Sequence, residues 1–255
     1  MTAHDRLDGK VAIVTGGSRG IGLAIAQAFA DAGAQVTVTG RSETSLAAAA
    51  ASRPGRITPL RGDANDVAAI GACVAEVMAR HGRIDILVNN AGGLLKFGGL
   101  LDLPAELFEE TIRFNLLSPF HWARAVWHAS MARAGGTIIN ISSTSGLQPV
   151  RAMGGYSVGK AALNALTQVL AGELGPGVRV NCIAPGLTRT DATAGFTDRP
   201  DLAGAVPLGR VGEATDISAA ALFLASAEAG WITGQVLAVD GGIVVGNRQL
   251  RGKEA

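Results

Sequence analysis

Seven short apolar runs, separated by longer stretches of helical period, recur along this chain of 255 residues. They are Lys10 to Thr15, Ala34 to Thr39, Arg56 to Leu60, Ile84 to Asn89, Gly136 to Ile141, Val178 to Ile183 and Val236 to Val239. Runs of this length without polar alternation are those of strands buried on both faces, and each spacer is long enough for a crossover helix. The pattern predicts an α/β chain: a single doubly wound Rossmann-type domain over residues 1–255, with a seven-stranded parallel sheet flanked by helices and a polar tail at 246–255. Right-handed crossovers gather the carboxyl ends of such strands along one sheet edge, so residues just after each run are the first candidates for function.

Composition removes several classes of partner. With 22 basic and 21 acidic residues the net charge is +1, which leaves no electrostatic footprint for nucleic acid or an anionic membrane. Apolar runs are interrupted before the ~18 residues a membrane span needs, and the polar start Met1 to Arg6 lacks the apolar centre of a signal peptide, so a soluble cytoplasmic protein is expected. Cys73 and Cys182 lie in apolar stretches without ligand spacing; they read as small buried hydrophobes, and no metal site is expected.

The first strand runs into Thr15-Gly16-Gly17-Ser18-Arg19-Gly20-Ile21-Gly22 and then an Ala-rich amphipathic stretch. Glycines let backbone approach a pyrophosphate, and the free N–H groups of a helix start attract its charge. The glycines at 16, 20 and 22 depart from the usual dinucleotide fingerprint, and a Gly-rich turn alone often only reverses the chain; its place between first strand and first helix favours the nucleotide. At the second strand end the sequence reads Gly40-Arg41-Ser42, with Arg41 where a carboxylate would grip a ribose 2′-hydroxyl. Together with Arg19 it suits a dianionic 2′-phosphate, so NADP(H) is the expected cofactor.

Tyr156, the only tyrosine, precedes Lys160 by four residues in Gly155-Tyr156-Ser157-Val158-Gly159-Lys160. On a helix such a pair shares one face, and an ammonium near a phenol favours the phenolate. Alone the pair equally describes a half-buried aromatic beside a surface cation. Taken with the Gly-rich turn, Asn89-Asn90-Ala91-Gly92, Asn140-Ile141-Ser142-Ser143 and Pro185-Gly186, the chain resembles the short-chain dehydrogenase/reductase family over about residues 8 to 245.

The resemblance implies a catalytic set of Asn115, Ser143, Tyr156 and Lys160. Tyr156 would exchange the proton, with its pKa lowered by Lys160. Ser143 would hydrogen-bond the substrate oxygen while Ser142 faces away, and Asn115 would distort a central helix and hold a relay water. Cofactor contacts are implied for Gly16, Ser18, Arg19, Gly20, Ile21 and Gly22, for Arg41 and Ser42, for Asp63 and Ala64 beside the adenine, and for Asn90, Ala91 and Gly92 beside the adenosine ribose. Tyr156 and Lys160 would also touch the nicotinamide side, and Pro185, Gly186, Thr188 and Thr190 would hold its carboxamide. Asp63 has a second reading, as a cap for the following helix.

Leu94, Leu95, Phe97, Leu147, Val150, Met153 and Phe196 fall in segments that set specificity in the family, which implies a mainly apolar pocket. The pattern is closest to 3-oxoacyl thioester reductases, yet Gly172 to Gly177 supplies no base for an acidic carrier protein, and only Arg124 and Arg133 stand in for it. The expected activity is reversible reduction of a ketone to a secondary alcohol. Steroid, sugar or other small alcohols are alternative substrates, and a non-catalytic NADP(H) sensor is the competing class. A homotetramer is implied through the helix around Asn115 to Met131, where Trp122 and Trp127 are either interface or core.

Overall fold

A computed structural model describes residues 6–198 and 200–246, without the side chains of Phe196 and Pro200. Along the chain run β1 (Val11–Val14), α1 (Gly20–Asp31), β2 (Gln35–Gly40), α2 (Glu43–Ser52), β3 (Ile57–Arg61), α3 (Val67–His81) and β4 (Ile86–Asn89). A long distorted helix follows, with α4 (Ala105–Ile112), α5 (Ser118–Val126) and α6 (Ala132–Ala134) joined by π-helical turns at Arg113–Leu117 and Trp127–Met131. The remainder comprises β5 (Gly136–Ile141), α7 (Gly154–Leu174), β6 (Val178–Pro185), β7 (Thr188–Arg189), α8 (Ala194–Thr197), β8 (Gly212–Glu213), α9 (Ala214–Ala225), β9 (Val236–Val239) and α10 (Ile243–Gly246).

Seven strands form one parallel sheet in the order β3-β2-β1-β4-β5-β6-β9, the doubly wound arrangement expected from the apolar runs. Side chains alternate across it and build a core on each face. Ala12 and Val14 pack with Ile25 and Phe29 of α1 and Ile217 and Leu224 of α9, whereas Val11 and Ile13 pack with Ile70 and Val74 of α3 and Trp122 and Val126 of α5. Trp122 is thus intrasubunit core.

Local chemistry sets the helix ends. Ser42 caps α2 by accepting the Ser45 N–H, and Asp66 caps α3 through the Ala68 and Ala69 N–H groups. Gly82, at φ 71°, ends α3 in the left-handed conformation. The sequence pattern does not reveal the two-stranded sheet of β7 and β8, because two-residue strands leave no periodicity to read. Chain direction reverses in sheet order between β1 and β4, and that crevice faces the Gly-rich turn.

Candidate active site

Thr15, almost fully buried, ties the exit of β1 to that of β4: its Oγ1 accepts the backbone N–H groups of Asn90 and Ala91, both at 3.0 Å. Gly16 and Gly20 have φ of 60° and 55°, where an L side chain is strained. A Cβ on Gly22 would stand 2.4 Å from Asn90 Nδ2, so the turn closes on β4 only as glycine. No side chain caps the first turn of α1 and no acid lies in it, which leaves N–H groups and positive dipole for an anion.

The Asn90 side chain braces the Gly-rich turn, its Nδ2 donating to the carbonyls of Thr15 and Gly16 at 3.0 Å each. Asn89 braces the sheet as expected, donating to Asn140 Oδ1 at 2.9 Å. Asp63 is not a helix cap: it accepts the Asn65 N–H at 2.9 Å and stays exposed, while Asp66 caps α3. The Ala64 carbonyl accepts a 2.6 Å hydrogen bond from Ser118 Oγ. Ser42 is committed to capping α2.

Arg19 and Arg41 are both exposed, and neither forms an ion pair among the described residues. Glu43, the acid nearest to Arg41 in sequence, is neutralised by Arg61 at 2.8 Å. The Gly-rich cradle, the uncapped helix start and two unpaired arginines fit a dinucleotide with an extra phosphate.

Past β6, Pro185 and Gly186 lead into β7, where Thr188 Oγ1 donates to the Gly186 carbonyl at 3.1 Å. Thr190 overhangs the Gly-rich turn; a Cβ on Gly20 would meet its Cβ at 3.4 Å. Thr193 holds the loop, accepting the Thr190 N–H at 2.9 Å and donating to the Thr188 carbonyl at 2.7 Å. Neither Thr193 nor Thr15 stood out as a site residue in the sequence, because threonine near a strand end has many uses.

Behind these loops four expected residues converge. Asn115 is fully buried inside the first π-helical turn, the helix distortion anticipated for it. Its Oδ1 accepts the Gly93 N–H at 3.0 Å, and its Nδ2 donates to the carbonyls of Gly93 and Thr111, each at 2.9 Å. A Cβ on Gly92 would lie 2.9 Å from Lys160 Nζ and 3.0 Å from Asn115 Oδ1, so Gly92 is the contact between them. Lys160 Nζ donates to the Ile141 carbonyl at 2.8 Å and stands 5.7 Å from the centroid of the Tyr156 ring. Ser143 Oγ accepts the Ser145 N–H at 3.1 Å and lies near enough to Tyr156 to affect its titration, while Ser142 donates to the Lys160 carbonyl at 3.2 Å.

Burial governs the titration of this cluster. It pushes the Tyr156 phenol above its ordinary value, against the opposing pull of the Ser143 hydrogen bond. It also lowers Lys160 to about 8, since a buried ammonium loses its hydration. The site therefore offers a neutral phenol as proton donor, a neighbouring hydroxyl and a cation behind them.

The expected pocket residues lie on two segments, one after β4 and one between β5 and α7. Leu95, Phe97, Leu147 and Val150 are exposed and Leu94 and Met153 half-buried. The side chain of Phe196 and the tail at 247–255 lie outside the described residues. Among the described residues no group of His, Cys, Asp and Glu is arranged to hold a metal, and no helix is long and apolar enough to cross a membrane.

A family profile described as enoyl-(acyl carrier protein) reductase matches residues 16–244. The chain is 40% identical to a 3-oxoacyl-[acyl-carrier-protein] reductase of Chlamydia muridarum, with 92% of this chain and 97% of the relative covered. It is 39% identical, with the same coverage, to a 3alpha-hydroxysteroid dehydrogenase of Mediterraneibacter gnavus. A short-chain type dehydrogenase/reductase from Mycobacterium ulcerans superposes with a TM-score of 0.90 at 34% identity, covering 94% of this chain and 91% of that one.

Proposed function

The chain belongs to the short-chain dehydrogenase/reductase family, and on that footing we propose that it reduces a ketone to a secondary alcohol with NADPH, and runs the reverse with NADP+. The observation that carries this reading is the convergence of Ser143, Tyr156 and Lys160 beside Asn115 at the carboxyl edge of the sheet. The nicotinamide would supply or accept the hydride. Everything else falls to this chain's own groups.

Ser143 donates a hydrogen bond to the substrate oxygen and so favours the negative charge that develops there. The Tyr156 hydroxyl delivers the proton; its raised pKa keeps it protonated at neutral pH, which suits the reductive direction. Lys160, positively charged below about pH 8, faces the ring and stabilises the phenolate left behind. Asn115 fixes Gly92 and Gly93 against Lys160. Gly16, Ser18, Gly20, Ile21 and Gly22 would cradle the pyrophosphate, Arg19 and Arg41 the 2′-phosphate, Asp63 and Ala64 the adenine, and Pro185, Gly186, Thr188 and Thr190 the carboxamide.

A 3-oxoacyl thioester is the leading substrate class, supported by the Chlamydia relative and the exposed apolar side chains of those two segments, with a hydroxysteroid as the second. Assembly as a soluble cytoplasmic homotetramer accompanies this reading. Steady-state rates with NADPH and NADH over 3-oxoacyl thioesters and ketosteroids test it. Tyr156→Phe is expected to abolish turnover while leaving NADPH binding intact, and Arg41→Ala to shift preference toward NADH. NADPH binding without turnover of any ketone, or equal use of NADH, overturns the respective part.

A further inference from the structure

Where β5 ends, Lys160 holds the chain just ahead of Ser143. Its Nζ donates to the Ile141 carbonyl at 2.8 Å, and its own carbonyl accepts Ser142 Oγ at 3.2 Å. Beyond that point Ser143 opens a single 3-10 turn, Thr144–Gly146. Ser143 Oγ accepts the Ser145 N–H at 3.1 Å, and its carbonyl accepts the Gly146 N–H at 2.9 Å. One lone pair of Oγ is thus spent inside the turn, which leaves the O–H free to donate elsewhere. The turn lies hard against α7: a Cβ on Gly146 would stand 2.7 Å from the Lys160 carbonyl carbon and 2.9 Å from the Ala161 nitrogen.

Asn164 fastens this turn to the helix. Tyr156, Lys160 and Asn164 recur every four residues, so they follow one another along one side of α7. Asn164 is 8% exposed, and its Nδ2 donates to the Gly146 carbonyl at 3.1 Å. Its Oδ1 accepts the thiol of Cys182, on β6, at 3.4 Å. Burial pushes that thiol up to about 11, so it stays protonated and serves as a donor at neutral pH. With a donor on one side and a carbonyl on the other, the amide fits in one orientation only.

We propose that Asn164 is a positioning residue for ketone reduction: by pinning Gly146 it holds the Ser143 hydroxyl where it and the Tyr156 hydroxyl reach one substrate oxygen. This rests on the reading of Ser143, Tyr156 and Lys160 as the reaction centre. Two consecutive turns of α7 divide the task, Lys160 fixing the strand end just before Ser143 and Asn164 the turn just after it. Asn164 acts through Ser143 and touches neither ketone nor cofactor. Without its amide the Gly146 carbonyl loses its tie to the helix, and a misplacement of about 1 Å in a positioned group costs up to about 10²-fold in rate.

Two variants test the proposal, Asn164→Leu, which keeps the branching but has no donor, and the smaller Asn164→Ser. Steady-state ketone reduction and NADPH binding by fluorescence are measured for each. Both are expected to lower kcat by about 10- to 100-fold while NADPH affinity stays within about twofold of wild type. The same substitutions are then combined with Ser143→Ala, a donor loss that by itself costs about 10²–10³-fold. A residue that acts through Ser143 has nothing left to align there, so the further loss should be under about twofold, whereas independent effects would multiply. Full multiplication, a kcat within about twofold of wild type in both single variants, or NADPH binding lost together with turnover in both, overturns the proposal. Failure of the wild type to reduce any ketone with NADPH removes instead the reaction centre on which it stands.

Discussion

Gly92 is where the arrangement is least forgiving. A Cβ added there would stand 2.9 Å from Lys160 Nζ and 3.0 Å from Asn115 Oδ1, against ordinary contacts of 3.4–4 Å. Each atom would have to retreat by about half an ångström. Neither is free to do so: Nζ is held at 2.8 Å by the Ile141 carbonyl, and Asn115 spends its amide on Gly93 and Thr111. Gly92→Ala therefore weakens the charged hydrogen bond of Lys160, the Asn115 pairing or both. Net hydrogen-bond values put the stability loss at about 1–3 kcal/mol. A shift of this size in a positioned group also costs roughly 10-fold or more in rate. Gly93→Ala is the control, because a Cβ there meets nothing within 4 Å. The assay is kcat and KM for ketone and NADPH together with thermal melting for both variants. A Gly92→Ala enzyme within twofold of wild type in kcat and unchanged in melting temperature would refute the reasoning, as would an equal loss in Gly93→Ala.

Three further outcomes follow from individual contacts. Thr15→Val strands two backbone N–H groups, so stability should fall by about 2–4 kcal/mol in urea unfolding while Thr15→Ser keeps most of it. Asp66→Ala should lose about 1 kcal/mol of stability with no change in cofactor KM, whereas Asp63→Ala should raise KM for NADPH with little loss of stability. Lys160 stands at about 8 in the fold against an ordinary 10.5, so between those values the unfolded chain holds a proton the folded chain has released, and stability gains with rising pH. Lys160→Met should accordingly be more stable than wild type at pH 7, by up to about 3 kcal/mol, with the advantage shrinking toward pH 10 in urea melts. A gap that stays constant over that range contradicts the burial argument.

The central sheet was legible because strands buried on both faces, such as β1, β4, β5 and β6, tolerate little except apolar residues, while the partly exposed edge strands β3 and β9 were placed by their crossover spacing. Tyr156, Lys160, Ser143 and Asn115 were legible through the family resemblance that the motifs along the chain carry. Other features carry no such pattern. The role of Asn90 depends on which carbonyls the Gly-rich turn presents to it, and Thr193 matters only because the loop after β7 folds back on it. Likewise the choice between Asp63 and Asp66 as cap turns on one turn of backbone. The surroundings that raise Tyr156 and lower Lys160 are a property of packing that no single stretch encodes.

The two π-helical turns at Arg113–Leu117 and Trp127–Met131 have a bearing on how this sequence can change length. Each such turn holds one residue more than an α-helix needs, and each helical residue advances about 100° around the axis. Deleting one residue within Arg113–Leu117 would let the helix relax to ordinary winding with the downstream residues near their present faces, but the wide turn that aims Asn115 at Gly93 would be lost. A deletion within the regular winding ahead of Trp122 would instead turn Trp122 and Val126 off the core face and Phe120 and Arg124 toward it. Along this helix single-residue changes of length are absorbed only at the wide turns, and at the first of them the position of Asn115 opposes the change.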